Sequence, residues 1–243
     1  MKIFGLFSSP NGERSQGYKL TLKLIQEIEN NHGKISEVSC FHANNLQILP
    51  SNGDQNIFIT GIDPLDDIDD FNLIKSKLEE ADLLILGSPV YAQNVSAHMK
   101  IFMERISQYA HNFGLVGKLS YIITTSYSNG NDQVHNYIQN SLDYMGVISA
   151  GRSDLIERFT SSEMIERDLC NAAKKIVGMF NNPQSIDFDS EKEKKYLNMC
   201  KLYKEFGNEE RYKNELQTYK KRGLFDANSF QEVFLANFNQ EGK

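Results

Sequence analysis

The chain has 243 residues, of which 40% are apolar and 24% charged, and carries a net charge of −6 at neutral pH. This reads as a globular, soluble chain with one domain of ordinary size and an extra element. No apolar run approaches the roughly 18 residues that span a bilayer, so no membrane partner is expected, and the acidic balance speaks against nucleic acid.

The opening Met1-Lys2-Ile3-Phe4-Gly5-Leu6-Phe7 is too short for a signal peptide's apolar region, and no small-residue cleavage site follows;. Residues 2–7 are therefore read as a buried strand. A polar turn from Ser8 to Gly12 leads to Tyr18, Leu22, Ile25 and Ile28 at helical spacing;. Residues 34–40 fit a second strand, and 41–66 a long connection punctuated by Pro50, Gly53 and Gly61;. A helix is predicted from Asp66 or Asp67, with Ile68, Phe71, Ile74 and Leu78 on one face;. The apolar run Leu83-Leu84-Ile85-Leu86-Gly87 predicts a strand covered on both faces;. Ser96 caps a helix to about Ala110, and 119–124 form the fourth strand. Residues 132–144 are helical and end at Gly146, 147–150 start the fifth strand, and Ser161 or Ser162 opens a helix to about Phe180. Five strand–helix repeats predict an α/β fold, a doubly wound parallel sheet with helices on both faces.

The composition changes after Pro183. Residues 1–183 are read as one domain and 184–243 as a helical C-terminal extension for oligomerisation or docking. Ser190 and Glu193 have the spacing of a capping box. Tyr196, Met199, Tyr203 and Phe206 form a helical stripe, and 208–222 read as another helix. Phe230, Phe234 and Phe238 share one face of a last helix;. A second subunit is expected to cover that stripe, giving a homodimer or homotetramer.

Ligands of such sheets lie outside the carboxyl ends of the strands, which singles out loops 8–17, 88–96 and 124–132. The first combines Ser8, Ser9, Arg14 and Ser15 with the free N–H groups of a helix start, an anion site suited to a flavin mononucleotide phosphate. It has neither the G-x-x-x-x-G-K-[ST] nor the G-x-G-x-x-G pattern, which excludes a triphosphate loop and a dinucleotide fingerprint. In the second loop Pro89 stiffens the chain, Tyr91 offers a flat face, and N–H groups near Gln93 and Asn94 suit the polar edge of a ring.

The run Gly87-Ser88-Pro89-Val90-Tyr91, with Ser96-Ala97, Met99-Lys100, Phe102 and Arg105, resembles the NADPH-dependent FMN reductase family, near its iron–sulfur flavoprotein branch. The resemblance covers roughly residues 1–180 and implies a flavodoxin-like fold. It implies phosphate contacts from Ser8, Ser9, Arg14, Ser15 and Gln16. Ring contacts would come from Pro89, Val90, Tyr91, Ala92, Gln93 and Asn94. Thr125, Ser126, Tyr127 and Gly130 would form a third wall. The first loop departs from the family's Gly-Ser-Pro-Arg, reading Ser8-Ser9-Pro10-Asn11, and Gln16-Gly17 replace its Asn-Thr pair. The branch's cysteine cluster is absent: 41–66 holds no cysteine, and Cys40, Cys170 and Cys200 are far apart. A cluster needs four ligands, so no metal is expected, and three scattered cysteines suit a reducing cytoplasm.

The implied activity is an oxidoreductase with FMN as cofactor and NAD(P)H as co-substrate, passing electrons to a small acceptor such as a quinone, a flavin or a metabolite. No catalytic residue is assigned; Tyr91, Tyr127 and His98 are substrate-facing candidates, although His98 also fits a plain helix surface. One alternative is an FMN-binding electron carrier with an acidic rim at 63–70. Another is a non-catalytic interaction protein organised around the extension. Asp63, Asp66, Asp67, Asp69 and Asp70 lack the spacing of a calcium loop and are read as helix caps and a solvated face.

Overall fold

Strand β1 (Lys2–Phe7) is buried at five successive positions because helices cover both of its faces;. In this computed structural model, which describes residues 1–54, 56–207 and 209–238, β1 lies between β2 (Glu37–His42) and β3 (Leu83–Pro89). Strands β4 (Leu119–Ser126) and β5 (Ile148–Ile156) complete a sheet of order β2-β1-β3-β4-β5, parallel at every pairing. That is the flavodoxin-like order, and its switch point falls between β1 and β3.

Alternation along the strands divides the core. Ile3, Leu83, Ile85, Tyr121 and Ile123 share a cluster with α1 (Gln16–Asn30) and α6 (Ser162–Asn181);. Phe4, Leu6, Leu84, Leu86 and Ile122 face α3 (Phe71–Glu80), α4 (Ala97–Arg105) and α5 (Asn131–Tyr144). Helix starts follow short polar side chains: Ser15, Ser96 and Ser161 each accept an N–H of the first turn;. At the end of β1 the Phe7 ring fills the space of two missing side chains. A Cβ on Gly17 would stand 1.8 Å from it and one on Gly87 2.4 Å.

Several boundaries differ from the sequence reading. The second strand begins at Glu37 rather than 34, set by parallel pairing of Lys2 with Glu37 rather than by local apolarity. The 41–66 connection contains a short helix, α2 (Asn56–Thr60), and a 3₁₀ turn at Pro64–Asp67, so α3 starts only at Phe71. Ser190 is not the cap of α7 (Ser190–Phe206). Asp189 is, accepting from Lys192 N, while Glu193 accepts Phe230 N at 2.8 Å.

Asp67 and Asp70 are exposed and Asp63 caps the 3₁₀ turn by accepting Leu65 N, as expected, but Asp63, Asp66 and Asp69 are not a solvated face. Arg105 is wholly buried and meets Asp63 through Nε at 3.0 Å, Asp66 through Nη2 at 2.6 Å and Asp69 through Nη1 at 2.5 Å. Its Nη1 also donates to Leu49 O at 3.0 Å, and its guanidinium lies 4.3 Å from the Phe71 ring centre. Three carboxylates and Arg105 thus knot this connection onto α4, with Lys75 a second cation 3.8 Å from Asp66.

The extension folds back on its own domain. Phe230 and Phe234 are fully buried and Phe238 is 8% exposed. Phe230 lies 6.0 Å from Phe113 between ring centres, Phe234 5.4 Å from Phe188, and Phe238 5.5 Å from Phe180. The stripe on α9 (Phe230–Asn237) therefore needs no second subunit, which corrects the expectation above. Helix α7 docks through Lys192, whose Nζ reaches Val147 O and Asp143. Helix α8 (Lys213–Lys221) sits by α2, within the predicted 208–222 segment, whose first residue, Asn208, lies outside the described residues. The contacts of Phe230 with Phe113 and of Lys192 with Val147 and Asp143 fall on the connections that precede β4 and β5, opposite the carboxyl ends of the strands.

Candidate functional site

The loops that leave β1, β3, β4 and β5 enclose an open cleft of about 760 Å³. Ser9, Arg14, Ser15 and Gln16 line one end; Pro89, Val90, Tyr91, Thr125, Ser126 and Tyr127 line the other.

The first loop is braced from β2. Gly12 takes φ 55° and packs against His42 and Asn44, where a Cβ would stand 3.0 Å from the Asn44 amide. Asn44 donates to Pro10 O at 2.9 Å. His42 is buried and edge-on to Tyr18. Burial, with the neighbouring Cys40, pushes the Tyr18 hydroxyl up to about 12, and burial pushes the Cys40 thiol up to about 11. The Tyr18 hydroxyl and the Cys40 thiol beneath the loop are thus neutral at physiological pH. On its upper side Arg14 is exposed and forms no ion pair among the described residues. Ser15 caps α1 and opens its N-terminal amides toward the same end;.

The loop after β3 is built on a serine knot. Ser8 Oγ donates to Gly87 O, Ser96 Oγ donates to Ser8 O at 2.7 Å, and Ser96 N donates to Ser88 Oγ at 2.9 Å. Tyr91 and Asn94 then exchange both backbone hydrogen bonds across Ala92 and Gln93, whose φ angles are 49° and 62°. This is a two-residue turn of the kind that favours Gly or Asn, carried here by two ordinary residues. It holds Tyr91 outward, 45% exposed, so Tyr91 is not a core side chain.

The loop after β4 is fixed by Ser126 Oγ to Asn131 at 2.6 Å, by Asn131 to Thr124, and by Thr124 to Asp154 on β5. Gly130 sits at φ 91°, and a Cβ there would meet Val90 at 2.5 Å. Tyr127 projects into solvent, 68% exposed.

The residues singled out from sequence divide accordingly. Ser9, Arg14, Ser15, Gln16, Pro89, Val90, Tyr91, Thr125, Ser126 and Tyr127 come together on the cleft wall. Ser8, Ala92, Gln93, Asn94 and Gly130 are not on it. Ser8 is buried in the serine knot, the Asn94 N–H is spent on Tyr91 O, and Gly130 spaces the loops. His98 stands apart as well, on α4 beside a second, smaller cavity. A fourth wall was missed: Leu155, Glu157, Thr160, Ser162 and Ile165, with Glu166 bonded to Lys23 at 2.5 Å. The signal was available, since the chain after the fifth strand leaves the same edge of the sheet. Of the acidic rim proposed for a carrier, Asp63, Asp66 and Asp69 are turned inward onto Arg105, which leaves Asp67 and Asp70 exposed.

The cleft has a cation and helix-start amides at one end and two exposed aromatic side chains at the other. It suits a ligand with an anionic tail and a flat, partly apolar head.

The model of the NADPH-dependent FMN reductase family matches residues 1–160. An iron–sulfur flavoprotein of Archaeoglobus fulgidus is 28% identical over 210 residues, 84% of this chain and 92% of the relative. One of Methanocaldococcus jannaschii is 31% identical over 144 residues, 56% of this chain and 71% of the relative. Among solved structures, RosB bound to the intermediate 8-demethyl-8-formylriboflavin-5′-phosphate aligns with a TM-score of 0.58 at 14% identity, over 86% of this chain and 88% of that one. At that identity the likeness is one of fold.

Proposed function

The chain belongs to the NADPH-dependent FMN reductase family, and from that premise we propose that it is an FMN-dependent NAD(P)H oxidoreductase acting on a small acceptor. The observation that carries the reading is Arg14, exposed just before α1 and without an ion pair among the described residues, at one end of a cleft whose other end is flanked by the exposed Tyr91 and Tyr127.

The residues present fit the cofactor. Arg14, with Ser9, Ser15 and Gln16, neutralises and hydrogen-bonds the phosphate. Tyr91 and Tyr127 flank the ring, and Pro89 and Val90 exclude water from its inner edge. When bound, FMN supplies two-electron chemistry between NAD(P)H and a quinone, a flavin or a metabolite. The protein's part is to hold and orient; no side chain is required as acid or base. A cytoplasmic location and a homodimer or homotetramer belong to the same proposal. The first is supported by three free thiols, and the second is open to light scattering.

The test is optical and chromatographic. The purified chain is expected to be yellow, to release FMN rather than FAD on denaturation, and to bleach under anaerobic NADPH or NADH. Yellow protein indifferent to both nucleotides supports a carrier instead. Colourless protein that takes up no added FMN refutes the cofactor assignment.

A further inference from the structure

A second cavity, of about 240 Å³, lies between the 43–48 loop and the first turns of α4. Its walls are apolar: Leu46 and Ile48 on the loop side, Leu6 and Ile101 on the sheet and helix side. Two exposed polar residues also line it, Gln47 on the loop side and His98 on the helix side. The cavity adjoins the large cleft without being part of it: Ser8 lines the one and its neighbour Ser9 the other.

The outer wall is held by the charged knot described above. Gln47 N donates to Asp70 at 2.7 Å and Leu49 N to Asp69 at 2.8 Å. Asp70 N returns a bond to Gln47 O at 2.9 Å, and Arg105 donates to Leu49 O at 3.0 Å. Burying a guanidinium among three carboxylates is costly, and hydrophobic side chains of similar volume often serve stability as well. Here the knot fixes the loop that walls the cavity, so the cavity is preformed.

We propose that this cavity is a binding site for a single-ring, phenol-class aromatic. Apolar cavities of about 150 Å³ already hold benzene, so 240 Å³ takes one ring with a substituent and excludes a flavin. An imidazole ring offers at least one donor, and a primary amide offers both donor and acceptor. A phenolic hydroxyl, which donates once and accepts, is matched by His98 and Gln47 together; a plain hydrocarbon leaves both unanswered. The site stands independently of the proposed oxidoreductase activity, since it uses none of the residues assigned to FMN.

The test is a fluorine NMR titration of 4-fluorophenol with the full-length chain, before and after adding excess FMN. Saturable one-site binding is expected, unchanged by FMN. His98→Leu and Gln47→Leu, at exposed side chains that leave the fold intact, should each weaken it about two- to tenfold. Ile101→Trp fills the cavity and should abolish it. Absence of saturable binding overturns the proposal. So does an affinity indifferent to all three substitutions, and so does displacement by FMN, which would place the probe in the large cleft. A chain that takes up no FMN but binds the phenol refutes the oxidoreductase reading and leaves this one standing.

Discussion

Gln93 donates from Nε2 to Asn129 Oδ1 at 2.7 Å, and this single bond ties the loop after β3 to the loop after β4 across the mouth of the cleft. Gln93 reaches Asn129 from a left-handed backbone conformation that costs an ordinary residue about 1–2 kcal/mol. Asn129→Ala is expected to weaken FMN binding about two- to tenfold, the worth of one hydrogen bond, with no change in the urea midpoint. Ala92→Gly removes the strain at the neighbouring position and should be neutral to about 1 kcal/mol stabilising. Destabilisation in urea would show that the Ala92 methyl packs.

Among the described residues Arg14 has no ion-pair partner to lose. Arg14→Ala should therefore leave thermal stability unchanged while lowering FMN affinity about ten- to a hundredfold, as expected of a charge-assisted hydrogen bond. Equal affinity for both chains, measured by flavin fluorescence quenching, would assign the phosphate to the serines and amides alone.

The knot around Arg105 should be felt in acid. Burial by itself raises the Asp69 carboxyl, but hydrogen bonds from Arg105 and from the Leu49 and Phe71 amides bring it below the ordinary carboxylate value. Its folded value thus lies below its unfolded one. The stability it contributes is complete above about pH 4 and is lost as pH falls through the folded value. Asp66 behaves oppositely: burial outweighs the Arg105 bond and raises it, so its protonation favours the folded state. Asp69→Asn should therefore cost more at pH 7 than Asp66→Asn, and the penalty should shrink toward pH 3 in urea titrations. Arg105→Met leaves buried Asp63 and Asp69 without their cation, and Asp66 with Lys75 alone at 3.8 Å, and should cost about 3–5 kcal/mol at neutral pH.

Thiol chemistry separates the cysteines. Burial raises the Cys40 and Cys200 thiols above the ordinary value, while Cys170 is half-exposed on α6. Iodoacetamide at pH 7.5 should modify Cys170 first, read by mass spectrometry. Anaerobically purified protein should contain no stoichiometric iron or acid-labile sulfide; finding both would require thiolates that these environments disfavour.

Phe234 is closed in by Phe188, Phe230 and Phe238 of its own chain. Phe234→Ala should cost about 3–5 kcal/mol without altering the mass seen by light scattering. A chain ending at Pro183 would expose Phe113 and Phe180 and should bind a hydrophobic dye. A well-folded, dye-silent truncation would show that the extension is dispensable.

Strand β3 was legible because five consecutive apolar residues leave a solvent face no place. The loops that form three cleft walls followed from topology alone. The 41–70 segment was not legible, because it is shaped by partners distant in sequence. Asp63, Asp66 and Asp69 read as solvated when taken locally, and only the fold brings Arg105 to them. The Phe230, Phe234 and Phe238 periodicity identified the buried face correctly. Periodicity carries no information about what covers a face, and the assignment to a second subunit failed there. Ala92 and Gln93 gave no sign of a left-handed turn, since neither residue is one that such turns select.

The Phe7 ring, seated where a side chain at Gly17 would be, makes two distant positions a single unit of heredity. Among descendants of this chain, a methyl group at 17 becomes tolerable only after the ring at 7 has shrunk, whereas one at 87 would also meet the Ile123 carbonyl oxygen at 2.7 Å, so the order of substitutions is constrained as well as their identity. A lineage that reverses that order passes through a sterically blocked intermediate directly beneath the first loop of the cleft. Positions 7 and 17 should therefore drift together or not at all, while 87 stays glycine, however freely the surface around them changes.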